Sequence, residues 1–427
     1  MKETKFKQSE LGLIPESWRV ESFQDIASIK TGPFGSALHA EDYVQRGTPI
    51  ITVEHLGSPF IIHSKSIPQV SNKDLKRLSA YTLKAGDIVY SRVGSVDRNS
   101  VVRSEEDGWM FSGRLLRVRS IQDYDPSYMG YHLNGINSRK RIISAAVGLG
   151  MPSINTKILG KHLVLLPANL DEQHNIASAL SDIDSLISQL AVLIEKKEAI
   201  FKGTMQDLLS GKRRLQVFSG SWKTKLFEEI FTFLPNNTLS REFLCFNDRI
   251  KNIHYGDILV KYGSVLDCEN SKLPTINSKI LNGYRPRKKA INGDVIIADT
   301  AEDEMVCKAT ELFNVGDNDV VAGLHTMWCR PIEGLFAPKF LGYYLNASVF
   351  HNQILPLIQG TKVCSVSKSA IKDTSVSFPH RDEQQAIADI LFDMEGEIEE
   401  LKNKREKYVA IRQGMMQQLL TGKIRLI

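Results

Sequence analysis

The chain has 427 residues, too many for one hydrophobic core, so two to four domains of ordinary size are expected. Hydrophobic residues make up 42% and charged residues 24%, which excludes a disordered chain. The net charge of +5 is too small to indicate a nucleic-acid partner by itself, and its sign argues against a DNA mimic.

The sequence predicts a reduced, cytoplasmic protein without a membrane span. It lacks the run of about 18 apolar residues that a spanning helix needs. Its basic start, MKETKFKQSE, has no apolar stretch typical of a secretory signal. The five cysteines all lie in the second half, with no CxxC or Cys/His spacing, so no metal site is expected.

In chain order, residues 1–167 form the first predicted globular domain, of mixed α/β (α+β) type. Short β-branched and aromatic runs predict strands at 49–53, 87–91 and 115–119. A proline suits the first turn of a helix, and a short helix is predicted from Pro126.

Residues 168–215 form a predicted long helix. Apolar residues recur at steps of three and four, which is the narrow stripe of a coiled-coil seam. No proline interrupts the segment, and Gly211 marks its end. The predicted seam residues are Ile176, Leu180, Ile183, Ile187, Leu190 and Ile194.

Residues 216–379 form a second predicted globular domain and residues 380–427 a second long helix. Strands are predicted at 257–261, 294–298 and 326–330, with a short helix near Pro338. The second predicted seam consists of Ile387, Leu391, Met394, Ile398, Leu401 and Tyr408.

The two halves are a tandem duplication. Residues 171–215 and the segment 211 positions later share 22 identities in 45 without a gap, beginning DEQHNIASAL and DEQQAIADIL. The turns GDIV at Gly86 and GDVI at Gly293 also match, as do PSYMGYHLN and PKFLGYYLN. The interiors of the two domains differ, which indicates one architecture that presents two different binding surfaces. The alternative is that each long helix simply lies on its own domain, but the seams would then have no reason to match.

The basic residues concentrate outside the repeated helices. Residues 171–215 carry a balance of −1 and residues 382–427 a balance of −2, which leaves +8 for the rest of the chain. Loops that combine glycine or proline, cations and aromatic residues beside a strand suit contacts with phosphates and base edges. The candidate DNA contacts are Lys30, Thr31, Phe34, Ser36, Ser91, Arg92, Ser95, Arg98, Lys251, His254, Tyr255, Lys261, Tyr262, Arg285, Arg287, Lys288 and Lys362.

A search for catalytic motifs finds none. The Gly-Lys pairs lack the remaining residues of a P-loop, and GLGMPS at Gly148 misses the third glycine of a dinucleotide fingerprint. The chain contains no G-x-S-x-G, no H-E-x-x-H and no N/D-P-P-aromatic tetrad typical of amino methyltransferases. A non-catalytic role is therefore expected.

The arrangement resembles the specificity subunit of type I restriction–modification systems over essentially the whole chain. The resemblance rests on the paired LDEQ and RDEQ helices with their LLSGKRRL and LLTGKIRL endings. IPESW, KTGPFGS and IHYGDILVKYG add to it.

The resemblance implies two target recognition domains, each reading one half of a bipartite, asymmetric sequence in double-stranded DNA. The long helices would pair antiparallel with pseudo-twofold symmetry, set the spacing and dock two methylation subunits. Restriction subunits would join the full complex. S-adenosylmethionine, ATP and magnesium would be bound by those partners, with no cofactor in this chain. Two rivals remain at this point: a coiled-coil adaptor that never binds DNA, and a single-chain enzyme such as a nuclease.

Overall fold

The computed structural model describes residues 5–33, 37–148, 150–281 and 283–427. Contacts divide the chain into a first unit, Met1–Ala191 with Lys404–Ile427, and a second unit, Val192–Asn403. This division differs from the linear boundaries expected from the sequence, because each unit combines one α/β domain with parts of both long helices.

The first domain is built from short strands and helices. The strands are β1 (Phe6–Ser9), β2 (Gly12–Pro15), β3 (Trp18–Ser22), β4 (Ala27–Thr31), β5 (Thr48–Ile51), β6 (Gln69–Val70), β7 (Ile88–Ser91), β8 (Asn99–Val101), β9 (Met110–Phe111), β10 (Leu115–Ser120) and β11 (Leu163–Pro167). The helices are α1 (Phe23–Ile26), α2 (Asn72–Arg77), α3 (Pro126–Asn134), α4 (Ile136–Ala145) and α5 (Thr156–Gly160).

A four-stranded antiparallel sheet, in the order β4-β10-β7-β8, forms the centre of this domain. Every residue of β7 is buried, since apolar side chains point to both of its faces. Ile88 and Tyr90 pack in one core with Tyr128 of α3. Val89 packs in a separate core with Ile51, which belongs to a three-stranded sheet in the order β6-β5-β9.

The second domain follows the same plan. Its strands are β12 (Lys223–Leu226), β13 (Phe231–Leu234), β14 (Leu244–Cys245), β15 (Ile250–Ile253), β16 (Val265–Asp267), β17 (Thr275–Ile276), β18 (Val295–Ala298), β19 (Thr300–Ala301), β20 (Ala309–Phe313), β21 (Asp319–Ala322), β22 (Thr326–Pro331), β23 (Cys364–Ser365) and β24 (Ser375–Phe378). Its helices are α7 (Phe227–Ile230), α8 (Tyr255–Val260), α9 (Phe340–Asn346), α10 (Ser348–Ile354) and α11 (Lys368–Lys372).

The two larger sheets of the second domain repeat those of the first with one strand added to each. The order β13-β22-β18-β20-β16 reproduces the first four-stranded sheet and adds β16, parallel to β20. In the second sheet, β15 runs parallel to β21 as β5 runs parallel to β9. The two glycines of the repeated turns, Gly86 and Gly293, have φ values of 88° and 86°, a conformation that favours glycine. The duplication expected from the sequence is confirmed.

One predicted strand is wrong. Residues 257–261 were expected to be extended, but the segment forms α8, with His254 accepting a hydrogen bond from the Gly256 amide at its start. Buried Asp257 bonds Lys261 one turn later. A short apolar run does not distinguish a strand from a buried helical turn by periodicity alone, so the helix could not be recognised from DILV.

Two long helices, α6 (Leu170–Leu209) and α12 (Arg381–Leu419), follow the two domains. Each ends near a glycine in the left-handed region, Gly211 and Gly422, both with φ of 70°. By length and composition alone α6 could cross a membrane, with a mean hydropathy of 1.4 in its most apolar window. This indication is weak, because the core helices of soluble proteins pass the same test.

The predicted seam residues lie in the packed part of both helices. Eight of the twelve are buried: Ile176, Leu180, Ile183, Leu190, Ile194, Ile387, Leu391 and Ile398. The other four, Ile187, Met394, Leu401 and Tyr408, are half-buried. In the first unit Ile176 and Leu180 share a core with Leu419, and in the second unit Ile387 and Leu391 share one with Leu208.

Within each unit the two helices run antiparallel. In the first unit Asp184 pairs with Arg412, and Asn175 further back on α6 donates to the Leu426 carbonyl beyond the end of α12. In the second unit Lys197 pairs with Glu397 at 2.7 Å. Later positions on one helix thus meet earlier positions on the other.

The glutamine of each DEQ stretch ties its helix to the preceding domain. Gln173 donates to the Pro167 carbonyl at 2.8 Å and accepts from the Asp125 amide at 2.9 Å. Gln384 makes the equivalent bonds to Pro379 at 3.0 Å and Ala337 at 2.9 Å. A carboxamide can donate and accept at once, which suits a joint between a strand and a helix.

Candidate nucleic-acid interface

The first group of candidates lies at the end of β4. Lys30 is half-buried, donates to the Ala80 carbonyl at 3.0 Å and lies 4.5 Å from the centre of the Tyr81 ring. Thr31 is half-buried and paired with Leu116 in the sheet. The ammonium group of Lys30 therefore already has its contacts within the domain. Phe34 and Ser36 fall outside the described residues.

The second group occupies the connection between β7 and β8. Ser95 is exposed at its tip, and Arg92 and Arg98 are half-buried on either side. The guanidinium of Arg98 donates to the Leu56 carbonyl, which fixes its position. Ser91 is fully buried and its hydroxyl bonds to Val93, so it is withdrawn as a DNA contact: a buried hydroxyl cannot reach a phosphate or base.

The sequence reasoning missed an arginine beside this connection. The Arg92 amide donates to the Arg114 carbonyl at 3.0 Å, and Arg114 itself is exposed. It directly precedes β10, which pairs with β7. In the sequence, Arg114 is recognisable only as a cation that precedes a predicted strand. The pairing of β10 with β7 is what places it beside Arg92.

Two candidate lysines of the second domain already have partners within it, although Lys261 is exposed. Lys251 donates to the Cys268 carbonyl at 2.6 Å, and Lys261 pairs with Asp257 at 2.8 Å. His254 and Tyr262 are buried, so both are withdrawn as DNA contacts. Burial, with Arg241 nearby, also lowers the pKa of His254, which therefore supplies no positive charge at neutral pH. The ring of half-buried Tyr255 lies against that of His254 at an interplanar angle of 36°, with 4.6 Å between the ring centres.

The connection between β17 and β18 carries the most accessible cations among the candidates. Arg285, Arg287 and Lys288 are all exposed, and no ion pair engages them among the described residues. Lys289 and Arg249 both pair with Asp319, which brings Arg249 to this basic loop although it is distant in sequence. Guanidinium groups free of internal partners are the side chains best suited to phosphate and guanine recognition.

Lys362 is also exposed, in the connection that leads into β23. That strand pairs with β19 at Thr300 and Ala301, and no described contact joins Lys362 to the basic loop. The candidates of the second domain thus separate into one cluster at 283–289, the isolated Lys362, exposed Lys261 with its partner Asp257, and four buried or half-buried residues.

The described residues contain one group with metal-ligand geometry, His63, Glu105 and Glu106. Arg103 pairs with both carboxylates, and His63 bonds Glu106 at 2.7 Å. These contacts already satisfy the oxygens that a cation would need. The group is consistent with a structural role.

A family model described as the type I restriction modification DNA specificity domain matches the chain twice, over residues 15–196 and 221–408. The putative type I restriction enzyme MjaX specificity subunit of Methanocaldococcus jannaschii is 25% identical over 99% of this chain and 97% of its own length. The MjaVIII specificity subunit of the same organism is 24% identical over the same shares.

Solved structures support the fold. The S subunit of a type I restriction–modification system from M. genitalium matches with a TM-score of 0.57 at 14% identity, covering 97% of this chain and 98% of that one. A chain from a structure on the complex assembly and conformational transition of the type I R-M system matches with a TM-score of 0.53 at 14% identity, covering 96% and 99%.

Proposed function

Since the chain belongs to the type I restriction–modification DNA specificity family, we propose that each of its two domains reads one half of a bipartite DNA sequence. The chain is a specificity subunit with two target recognition domains. The observation that carries the proposal is the double match of the family model, one match over each domain. The different interiors of the domains favour two different half-sites.

The accessible cations supply the proposed contacts. In the second domain these are Arg285, Arg287 and Lys288. In the first domain exposed Arg114 has half-buried Arg92 and Arg98 nearby, in the connection between β7 and β8. Loops at the edge of a rigid sheet suit this task, because the sheet holds the loop in place at the surface, where its side chains can meet phosphates and base edges. We propose that Lys362 contacts phosphate only, since it is isolated.

The long helices are proposed to set the spacing and to bind partner subunits. At 1.5 Å per residue, a helix of 40 residues is about 60 Å long. Two methylation subunits would bind the repeated helix segments, and restriction subunits would join them. The chain itself is proposed to be non-catalytic and cytoplasmic, with S-adenosylmethionine, ATP and magnesium bound by its partners.

Sequencing of DNA methylation tests this function. The chain is expressed with its methylation subunits in a strain that has no such system, and methylated adenines are mapped. The expected result is one motif of two unlike halves with an unread gap. A continuous motif, or no new methylation despite an assembled complex, would contradict the proposal.

A binding measurement then separates the two domains. Duplexes carrying the motif are compared with duplexes in which only one half is scrambled, and each scrambled half should weaken binding. Purified chain incubated with plasmid and magnesium serves as the test of the non-catalytic role, since sustained cleavage without partners would rule that role out.

A further inference from the structure

The first unit contains a groove of about 800 Å³ that the proposed function does not use. Three parts of that unit form its walls: the hairpin β1–β2, the corner between α3 and α4, and the last turns of α12. Leu13 lies on the hairpin, Ile136 and Ile143 on the corner, and Met416 on the helix. The groove is therefore built from both ends of the chain.

The groove leaves large apolar side chains open to solvent. Leu13 is 67% exposed, Ile136 54% and Ile143 51%. Buried Leu420 and half-buried Met416 continue this apolar lining. Isolated exposed apolar residues are normal, but several around one concave surface mark an interaction site.

The polar rim of the groove is basic. Arg139, Lys140, Arg141 and Lys423 line it, and the one carboxylate among its lining residues, Asp97, is already paired with Arg139 at 2.7 Å. Lys140 and Lys423 are exposed, and no ion pair engages them among the described residues. An occupant must therefore bring apolar groups and carboxylates together.

We propose that this groove binds an acidic amphipathic segment of a partner protein in the restriction–modification assembly. Side chains of such a segment would cover Leu13, Ile136 and Ile143 with one face and pair Lys140 and Lys423 with its carboxylates. DNA fits the surface less well, since a phosphate backbone would leave the apolar residues exposed to water. The inference rests on the proposed function in one respect, that partner subunits assemble on this chain.

The groove has no counterpart in the described part of the second unit. No strand precedes β12 between residues 210 and 222, so the hairpin wall is missing. The residues equivalent to Arg139, Lys140 and Arg141 are His351, Asn352 and Gln353, so three of the four rim cations are lost. Only Lys423 has a basic equivalent, Lys212. Ile136 corresponds to Ser348. Within the described residues this surface therefore occurs once, although the frame is otherwise repeated, and we expect one copy of the segment to bind per chain.

Photo-crosslinking in the reconstituted complex tests the inference. A photoreactive phenylalanine derivative replaces Lys140 in one preparation and Ile411, an exposed residue of α12, in the other. The expected result at position 140 is a crosslink to one acidic, apolar segment of a partner subunit, at one copy per chain. Crosslinks from position 140 to DNA, to a second copy of this chain or to nothing overturn the inference.

The preparation with the reagent at position 411 separates this inference from the proposed function. A crosslink at 411 without one at 140 shows that partners assemble but do not use the groove. The absence of both overturns the proposed assembly together with the inference.

Charge reversal supplies a quantitative readout. Lys140→Glu with Lys423→Glu should weaken the affinity of the purified partner subunit about tenfold, and added salt should reduce the difference. The matched control, Lys223→Glu with Lys272→Glu, changes the same number of lysines in the second domain and should leave the affinity unchanged. Equal effects of the two variants would overturn the inference.

Discussion

The carboxylate of Glu172 is held by the guanidinium of Arg425, 253 residues later, through bonds of 2.8 Å and 2.7 Å. Glu383 is held in the same two-bond manner by Arg214, with 2.9 Å between Oε1 and Nε. Both glutamates are almost fully buried, and their positions differ by the 211 residues of the repeat. The glutamate at the start of each long helix therefore binds the arginine that follows the end of the other.

Arg425→Ala should destabilise the first unit by about 2 kcal/mol, because it leaves the buried Glu172 carboxylate without its cation. Arg214→Ala should destabilise the second unit for the same reason. Hydrogen exchange followed by mass spectrometry measures the two units separately in the intact chain.

Lys423→Ala is the control for this pair, since Lys423 is exposed and lies two residues from Arg425. It should leave hydrogen exchange in the folded chain unchanged. If Arg425→Ala weakened both units equally, the ion pairs would not be local to their units.

A tyrosine of each domain bonds a carboxylate of the following helix. Tyr131 donates to Asp184 at 2.9 Å, and Tyr343 to Glu395 at 2.7 Å. Asp184 also pairs with Arg412, but the repeat position of Arg412 is Phe201 in the second unit. Tyr343→Phe should therefore cost about 2 kcal/mol and Tyr131→Phe less. Comparable losses would show that Arg412 does not support Asp184.

The stability of the second unit should fall as the pH rises from about 4.5 to about 7. Burial raises the pKa of Glu311 to about 7, although the amides of Lys339 and Gly342 donate to it, and burial also raises the pKa of Glu395. A carboxyl with a raised pKa binds its proton more tightly in the folded state. Its stabilisation is complete below the unfolded pKa, near 4.5, and is lost towards pH 7.

The expected change from Glu311 is on the order of 3 kcal/mol, and it is measured by urea unfolding across this pH range. Glu311→Gln should flatten the dependence in the second unit. The first unit is an internal control, because Val101 occupies the equivalent strand position there. A dependence that survived in the variant would assign the effect to another group.

Leu190→Asp and Leu401→Asp should weaken assembly with the methylation subunits while leaving each α/β domain folded. Leu190 is buried and Leu401 half-buried in the seam, so a carboxylate there disturbs the helix pair. Analytical ultracentrifugation with the partner measures assembly, and circular dichroism measures the fold. Loss of both domains would mean that the helices are required for domain folding.

Arg285→Ala with Arg287→Ala should weaken DNA binding and flatten its dependence on salt. The slope should fall by about one unit for each phosphate that the variant no longer neutralises. The control is Lys223→Ala with Lys272→Ala, which removes the same charge from other positions of the same domain. If the two variants behaved alike, only net charge would matter. An effect restricted to one half-site would indicate base recognition.

The repeated secondary structure was predictable because the signals that determine it lie within a few residues of one another in the sequence. The long helices expected at 168–215 and 380–427 lie at Leu170–Leu209 and Arg381–Leu419, since their seams and terminal glycines are signals within a few residues. The apolar strands after Gly86 and Gly293 were predictable for the same reason.

Contacts between distant segments could not be predicted in this way. Ser91, His254 and Tyr262 carry polar groups beside a strand, but only the tertiary structure shows that they face inward. The binding of Glu172 to Arg425 was missed although each residue has an identical counterpart in the other repeat, Glu383 and Arg214. The signal was present in the shared DEQ start and the shared Lys-x-Arg-Leu ending, and it becomes visible only when the two repeats are compared with each other.

The position of Arg425 also orders events during synthesis. Arg425 follows the second domain in the sequence, so Glu172 cannot acquire its cation until that domain has been synthesised, although the first domain emerges long before. In the second unit both members of the pair, Arg214 and Glu383, are synthesised before Arg425. The unit whose domain is synthesised first is thus the last to acquire its ion pair.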